Sequence, residues 1–552
     1  MSLKRILKYW PEVIVFGVIS SALMICVSPD LTFMNMAADG PAYVMSAKYL
    51  YPAHHTSAPL YLLLGHLFIL IPIGTEYWRL ALMSAVFAVG SMVFIYLIAM
   101  NLLKENKRAR WYALLGVLVF GSSMMLISQA IIAETYTMVT FFGLGAYYFT
   151  LKKKWALTAA MLGLGLAVHH LILITWLVLL IFNKPLRQWK PILITIAFLL
   201  FYLYVPLSKA FSDAPVMWLN TGLKAFIISA FSTFMNLIGG VAIWDFPKRI
   251  LETIGFLGVS LTIGFIVLIW YVMKVKLWSK PLFWLFLLPT IYAMTNFDPH
   301  VSRYALPGYA FGAVIIALAL SKLKPVWLYS TGLAAIAMLS INANYFDLGR
   351  TLDKNLTAAR FYREEYPKVA DGQIFMTFLP GGEWQQAFYY NKQEGRDIIP
   401  ICVGMLANPA YQTQLKSQGV KLTGNTIANQ TDNEMEVALS IIDQNKDVLI
   451  AKSTTPRDYG AVLVPAIENK QEITMWQGYI TVPKWKFAPS NPYDILTGAI
   501  DTTDWRWTLR STWDVKFFVS FGSLGLILNW LVFILPNKKV KVENSIPDKG
   551  QE

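Results

Sequence analysis

The sequence predicts an all-α polytopic membrane protein with a polar α/β domain near its C-terminus, and three observations lead to this fold class. The 552-residue chain is 56% hydrophobic and only 14% charged, whereas about 25% of residues in a soluble domain are charged. Its apolar residues fall into long runs that basic loops separate. One long polar segment, large enough for an independent domain, follows most of these runs. A mean hydropathy of +0.48 excludes a single soluble globule.

Twelve apolar runs are candidate membrane spans, since a span needs about 20 mostly apolar residues and fewer when it is short or re-entrant. The first run is not interpreted as a cleavable signal peptide, because it is long and lacks a small-x-small exit. The apolar segment 59–72 is interpreted as an interfacial helix, because a span there would place the basic loop 104–110 outside. The twelve candidates are 11–29, 79–102, 111–128, 136–151, 155–168, 171–182, 191–208, 251–272, 282–296, 304–320, 326–343 and 517–535.

The positive charges predict the orientation of these spans. Lys and Arg cluster in alternate loops, such as Lys152 to Lys154, while the intervening connections carry few of them. By the positive-inside rule, both termini are cytoplasmic. The net charge of +14 is thus interpreted as a topology signal of an integral plasma membrane protein, and no nucleic-acid partner is expected. The two distant cysteines, Cys26 and Cys402, exclude a disulfide scaffold.

This topology divides the chain into three parts. Residues 1–344 form a transmembrane module with two large outer loops, 30–78 and 209–250. Residues 345–516 form an extracytoplasmic α/β domain, because alternating apolar patches at 373–376 and 447–451 are interleaved with helical stretches around 432–443. Residues 517–552 form the last span and a basic cytoplasmic tail.

A few ionisable residues fall near the membrane on the predicted outer side. Asp39 is interpreted either as a plain N-cap of the helix that Pro41 would begin or as a catalytic carboxylate, and the two roles are not exclusive. His54 and His55 are either interfacial polar residues or donors to a phosphate or hydroxyl. Adjacent His residues point apart on regular backbone, so the pair is not expected to bind a metal alone.

The remaining candidates lie further along the chain. Glu134 lies at an outer junction, where a carboxylate near the bilayer is costly and tends to be functional or paired. His169 and His170 occur at the next outer turn. Arg303 suits bidentate recognition of a phosphate, but a structural pair with Asp298 is an equal alternative. The topology brings all these groups to one side of the membrane, which favours chemistry on a lipid phosphate.

Four short motifs, in this order and on this side, give the chain a family resemblance. It resembles the C-type (GT-C) membrane glycosyltransferases, and most closely the protein O-mannosyltransferase-like branch. That branch typically shows an acidic residue, a His-Pro-Pro-Gly-Tyr-Pro-Leu stretch, a Glu-Val-Tyr and a Pro-x-x-Trp. The corresponding segments here are Asp39, His-Thr-Ser-Ala-Pro-Leu at 55–60, Glu-Thr-Tyr at 134–136 and Pro-Val-Met-Trp-Leu-Asn at 215–220. Here the Pro-Pro-Gly is reduced, and Gly40 stands in place of the second acidic residue of many relatives.

The resemblance implies an inverting transfer of mannose, or another hexose or pentose, from a polyprenyl-phosphate donor. The acceptor would be a hydroxyl of a protein, lipid or polysaccharide on the extracytoplasmic face, positioned by the α/β domain. Asp39 is the predicted general base, and Glu134 would orient a sugar hydroxyl or His55. The predicted donor phosphate ligands are Arg303, His54, His55, His169 and His170. The predicted substrate contacts are Tyr43, Trp218, Asn220, Asp298 and His300.

These residues require no metal or other cofactor, although Asp39 and Glu134 could share a divalent cation. Two alternatives belong to other functional classes. A transporter or flippase for a lipid-linked sugar would place charges deep within its spans, whereas this chain keeps its ionisable groups at span ends. A non-catalytic membrane assembly protein would be favoured by a degenerate first outer loop, which the reduced Pro-Pro-Gly suggests.

Overall fold

The computed structural model describes most of the chain up to residue 469. The described residues are 9–32, 39–53, 58–211, 223–231 apart from 225 and 229, 270–295, 303–356, 358–377, 383–406, 408–423, 430–452 and 462–469. Within these ranges the protein is mostly helical, which confirms the predicted dominance of helices. The predicted spans 251–272, in nearly all its length, and 517–535 lie outside the described residues.

The described residues up to 356 contain the helices of the predicted membrane module. Its helices are α1 (Trp10–Cys26), α2 (Gly40–Tyr49), α3 (Pro59–Ile69), α4 (Glu76–Leu102), α5 (Ala109–Gly121), α6 (Met124–Ala130), α7 (Tyr136–Leu151), α8 (Trp155–Leu166), α9 (Ile172–Phe182), α10 (Trp189–Ala197), α11 (Tyr204–Phe211), α12 (Pro281–Thr295), α13 (Leu306–Leu320) and α14 (Val326–Leu356). Several begin with Pro in the first turn, where the missing N–H has no intrahelical partner to lose.

Helix α13 occupies the centre of this bundle. All its residues from Leu306 to Leu320 are buried, and α4, α5, α7 and α12 pack around it. Gly308 permits the close approach of α12, because a Cβ there would lie 2.8 Å from the carbonyl oxygen of Phe286. Arg303 begins the short 3₁₀ turn, residues 303–305, that leads into this helix, and is therefore held at the end of a fully buried element.

Helix length and composition identify fewer spans than the sequence predicts. In the described part of the chain, three stretches are long and apolar enough to cross a membrane: Glu76–Leu102, Trp189–Ser208 and Arg303–Leu320. The predicted span 111–128 is a bent pair: α5 ends at Gly121, the Ser123 hydroxyl caps α6, and the two helices are bent by 65°. Six other apolar helices are shorter than 18 residues. The count of twelve stays a prediction, as does the interfacial position of α3.

Polar contacts fix α1 at both ends. Near its N-terminus, the Glu12 carboxylate accepts hydrogen bonds from Arg110 Nε and the Tyr96 hydroxyl, each at 2.6 Å. Beyond its C-terminus, the backbone N–H of Ser28 donates to the carbonyl of Ile131 at 2.9 Å. The chain that leaves α1 toward Asp39 is thus held beside the loop that carries Glu134.

After α14, the described residues form helices around a small mixed sheet. The elements are α15 (Ala358–Glu364), β1 (Ile374–Thr377), α16 (Glu383–Glu394), β2 (Ile399–Cys402), α17 (Pro409–Ser417), α18 (Gln430–Gln444), β3 (Leu449–Lys452) and β4 (Val462–Pro465). The strand order is β2-β1-β3-β4, with β1 parallel to β2 and β3, and β4 antiparallel to β3. We call residues 358–469 the sheet segment. Helix α14 runs past the predicted boundary at residue 344, and the bounds of the predicted domain 345–516 stay a prediction.

Candidate functional site

Asp39 lies at the start of α2, with backbone angles in the right-handed helical region. It occupies the N-cap position, but its side chain makes no capping hydrogen bond to the helix. An N-cap Asp normally accepts from the second or third backbone N–H. The capping interpretation therefore does not account for this carboxylate, which is partly exposed.

Gly40, the next residue, lies against the ring of Tyr77. A Cβ at position 40 would stand 2.7 Å from Cε2 of Tyr77, closer than atoms in contact approach. The Tyr77 hydroxyl in turn accepts a long hydrogen bond, 3.4 Å, from the backbone N–H of Ala133. Any side chain at position 40 would therefore have to displace the Tyr77 ring, which favours glycine directly after Asp39.

Glu134 is held in that loop between α6 and α7 and is buried, with a relative exposure of 1%. The hydroxyl of Ser84 on α4 fixes its backbone from both sides, donating to its carbonyl at 3.0 Å and lying 3.3 Å from its N–H. Its carboxylate oxygen Oε1 accepts a hydrogen bond from Arg303 Nη1 at 3.0 Å. The carboxylate is thus one half of a buried ion pair.

Arg303 contributes the other half and is also buried. Its guanidinium carbon lies 5.0 Å from the ring centroid of Tyr136 and 5.9 Å from that of Tyr304. Aromatic faces attract a cation most strongly where water is excluded. The Arg303 guanidinium is therefore a positive charge largely removed from water, and one of its N–H groups donates to Glu134.

Electrostatic coupling joins Asp39 to this pair. Burial raises the pKa of the Glu134 carboxyl above its ordinary value, Arg303 lowers it, and the Asp39 carboxylate raises it further. The same two carboxylates, together with burial, raise the pKa of the Tyr43 hydroxyl on α2, so that hydroxyl stays protonated. The carboxylates of Asp39 and Glu134 and the guanidinium of Arg303 therefore all lie near the Tyr43 hydroxyl.

His169 and His170 lie in the turn between α8 and α9, both with 8% exposure. Their ring centroids are 4.1 Å apart, and the His169 ring is 5.4 Å from that of Tyr136. His169 Nδ1 accepts from the backbone N–H of Leu171 at 3.2 Å, so a neutral His169 carries its proton on Nε2. Burial lowers the pKa of His170 to about 4. His170 is thus neutral near pH 7 and can act as a hydrogen-bonding group rather than a cation.

The start of α3 is joined to the same turn. The backbone N–H of Leu60 donates to the carbonyl of Ala167 at 3.0 Å, and the Tyr61 ring lies 5.0 Å from that of Tyr43. Ala58, just before the helix, has a φ of 37°, a left-handed conformation that is unfavourable for a residue with a Cβ. The chain at 58–61 therefore packs against both the turn that carries His169 and His170 and α2.

Of the predicted site residues, the structure brings six together: Asp39, Tyr43, Glu134, His169, His170 and Arg303. The other six lie outside the described residues: His54, His55, Trp218, Asn220, Asp298 and His300. Arg303, for which a pair with Asp298 was an alternative, is paired with Glu134. Sequence reasoning assigned no role to Tyr77, Tyr136 or Tyr304. Only Tyr136 had a signal, as the last residue of the Glu-Thr-Tyr motif. Among the residues that the structure describes, no three His, Cys, Asp or Glu side chains could together hold a metal ion.

Family comparison supports a membrane glycosyltransferase as the class of this chain. Within that class, residues 39–190 match the family described as the protein O-mannosyl-transferase TMEM260 N-terminal domain. The matched range begins at Asp39 and includes Glu134 and both histidines of the 169–170 turn. The match confirms the resemblance to the protein O-mannosyltransferase-like branch that the four motifs predicted.

Two solved structures are similar in their overall course. ArnT from Cupriavidus metallidurans in the apo state is 11% identical, with a TM-score of 0.39, over 76% of this chain and 97% of that chain. The oligosaccharyltransferase of Archaeoglobus fulgidus in the apo form is 13% identical, with a TM-score of 0.47, over 80% of this chain and 69% of that chain. No curated protein sequence matches the chain.

Proposed function

We propose that the protein transfers a sugar from a polyprenyl-phosphate donor to an acceptor hydroxyl on the extracytoplasmic face of the membrane. The observation that carries this proposal is the placing of Asp39 beside the buried Glu134–Arg303 pair. Asp39 begins a helix that it does not cap, and it acts electrostatically on both members of the pair. A partly exposed carboxylate can take the proton of an acceptor hydroxyl. A nearby cation that is removed from water can stabilise the negative charge that develops on a leaving phosphate.

In this mechanism, Asp39 is the general base. The acceptor hydroxyl gives its proton to the Asp39 carboxylate as its oxygen forms a bond to the anomeric carbon of the sugar. The bond from that carbon to the phosphate oxygen breaks on the opposite face, so the configuration at the carbon inverts. The bonding electrons leave with the polyprenyl phosphate, and its new negative charge requires stabilisation by preorganised donors.

Arg303 is the proposed partner of that phosphate. Its guanidinium has the planar donor geometry that suits a phosphate, and the faces of Tyr136 and Tyr304 keep its charge from water. His169, which donates from Nε2 when neutral, and neutral His170 would add hydrogen bonds. His54 and His55 are proposed to do the same, and Tyr43, Trp218, Asn220, Asp298 and His300 to contact the sugar or the acceptor.

The side of the membrane follows from the charges of the loops, with both termini cytoplasmic and residues 345–516 outside. A protein, lipid or polysaccharide hydroxyl is the acceptor class, and the segment 345–516 would position it. Asp39 and Glu134 are the two carboxylates that could share a divalent cation, so sugar transfer should also be measured with a chelator present.

The proposal is tested with purified protein and radiolabelled polyprenyl-phosphate mannose, glucose or arabinose, each with serine- and threonine-rich peptides, lipid extract or cell-wall polysaccharide. We expect label to move from one donor to one acceptor class, with inversion at the anomeric carbon. A chelator would reveal dependence on a metal. Release of label from none of the donors would contradict the proposal and favour a transporter or an assembly protein.

Gly40→Ala is expected to lower the transfer rate by about tenfold or more, because small displacements of a catalytic group are costly. The added Cβ would push the Tyr77 ring or the first turn of α2, and Asp39 moves with that turn. Initial rates at saturating donor provide the measurement. Gly17→Ala is the matched control, because a Cβ at Gly17 has no heavy atom within 4 Å. Equal rates for both variants would show that the Tyr77 contact does not hold Asp39.

A further inference from the structure

Helix α16 of the sheet segment packs against α2, the helix that directly follows Asp39. The contact centres on Glu76, the first residue of α4. One oxygen of its carboxylate lies 2.6 Å from Lys48 Nζ near the end of α2. The other oxygen accepts a hydrogen bond from the Tyr389 hydroxyl on α16. Glu76 thus joins three separate elements of the fold.

A second residue of α16 strengthens the same contact. The side-chain oxygen of Gln393 accepts hydrogen bonds from Lys48 and from the Tyr49 hydroxyl, the latter at 2.9 Å. The ammonium group of Lys392 lies 5.7 Å from the ring centroid of Tyr49. Because Lys48 and Glu76 are each only about a fifth exposed, 23% and 21%, solvent screens this charge pair less than a fully exposed one.

The next residue of α4 holds the other end of α2. Tyr77 lies against Gly40 and accepts from the backbone of Ala133. One turn of α4 therefore contacts both ends of the ten-residue helix α2: Glu76 at its last turn and Tyr77 at its first. Only the contact at the last turn includes residues of the sheet segment.

We propose that Glu76 is a positioning residue, and that docking of α16 on Glu76 and Lys48 fixes the helix that carries Asp39. The sheet segment thereby sets the orientation of the proposed base, in addition to any role in holding an acceptor. The catalytic consequence rests on the proposed function. The mechanical consequence, the fixing of α2 by α16, does not depend on the proposed function.

The mechanical consequence is tested by hydrogen exchange on the purified full-length protein. Tyr389→Phe removes the hydroxyl that donates to Glu76 but keeps the ring, which lies 5.7 Å from that of Tyr362. We expect backbone amides of residues 42–49 to exchange about tenfold faster, since a hydrogen bond to a charged group limits local opening by that order. Exchange in α5 and α7 should not change. Glu76→Gln should reproduce the effect.

The matched control is Arg396→Gln, which breaks an ion pair with Asp371 (2.7 Å) and a hydrogen bond to the Val369 carbonyl, two contacts that include no residue of α2 or α4. Exchange in α2 should remain that of the unaltered protein in this variant. Unchanged exchange in Tyr389→Phe and Glu76→Gln, or equal acceleration in Arg396→Gln, would overturn the proposal.

The catalytic consequence has its own measurement. Tyr389→Phe is expected to lower kcat by severalfold and to leave KM for the donor nearly unchanged, because the hydroxyl that it removes donates to Glu76 and not to a proposed phosphate ligand. A rise in KM at constant kcat would contradict positioning of the base. Faster exchange in a protein that transfers no sugar would instead retain the docking and reject the proposed function.

Discussion

Asp39→Asn is expected to abolish sugar transfer while leaving the protein folded. The amide has nearly the shape of the carboxylate but cannot take the proton of the acceptor hydroxyl. General base catalysis contributes about 10²–10⁴-fold to a rate, so the loss should reach at least the lower end of that range. The side chain makes no capping hydrogen bond to α2, so the helix should remain intact.

Initial rates of label transfer at saturating donor provide the measurement, with thermal unfolding of the same sample as a check on folding. Asp30→Asn is the matched control. Asp30 is another carboxylate of the segment between α1 and α2, but it accepts from the backbone N–H of Leu31 at 2.8 Å and faces Arg363 at 3.7 Å. Full turnover by Asp39→Asn would remove Asp39 as the base.

Arg303→Met is expected to destabilise the protein by about 3–5 kcal/mol, because it leaves the buried carboxylate of Glu134 without its partner. The side chain of Glu134 is only 1% exposed, so water cannot replace the guanidinium. Replacing both partners, Arg303→Met with Glu134→Gln, should recover much of this loss, since no buried charge then stays unpaired. Transfer activity should be lost in both variants.

Unfolding of the detergent-solubilised protein, followed by tryptophan fluorescence, measures these differences. Arg396→Met serves as control, because its ion pair with Asp371 is exposed and such pairs contribute about 1 kcal/mol or less. An Arg303→Met protein as stable as the control would mean that the Glu134 carboxyl is protonated, or reaches water, in the folded state.

Hydropathy predicts elements well where one apolar run has polar residues at both ends. Helix α7 has the bounds 136–151 of its predicted span, because Thr135 and the lysines from Lys152 delimit it. The run 111–128 looks equally continuous, yet α5 ends at Gly121 and a new helix begins after Ser123, whose hydroxyl caps it. Serine is compatible with an apolar run, so a hydropathy average does not detect this break.

The charge pattern could place Glu134 and Arg303 on one side of the membrane, but it could not pair them. Glu134 is 169 residues away from Arg303, so sequence distance gave no sign of this pairing. Three-dimensional packing of α4, α7 and α13 decides the pairing. Tyr77 gave no signal at all, because an aromatic residue in the first turn of an apolar helix is equally typical of any membrane interface.

The central position of α13 has a consequence for how the chain is made. The helices that surround it include α4, α5 and α7, which all precede it in the chain and leave the ribosome first. Because α4 packs directly on both α5 and α7, these three helices can assemble before residues 306–320 have been synthesised and dock on them. The helix that docks on them follows directly after Arg303, so the ion pair with Glu134 can form only after α13 has been made.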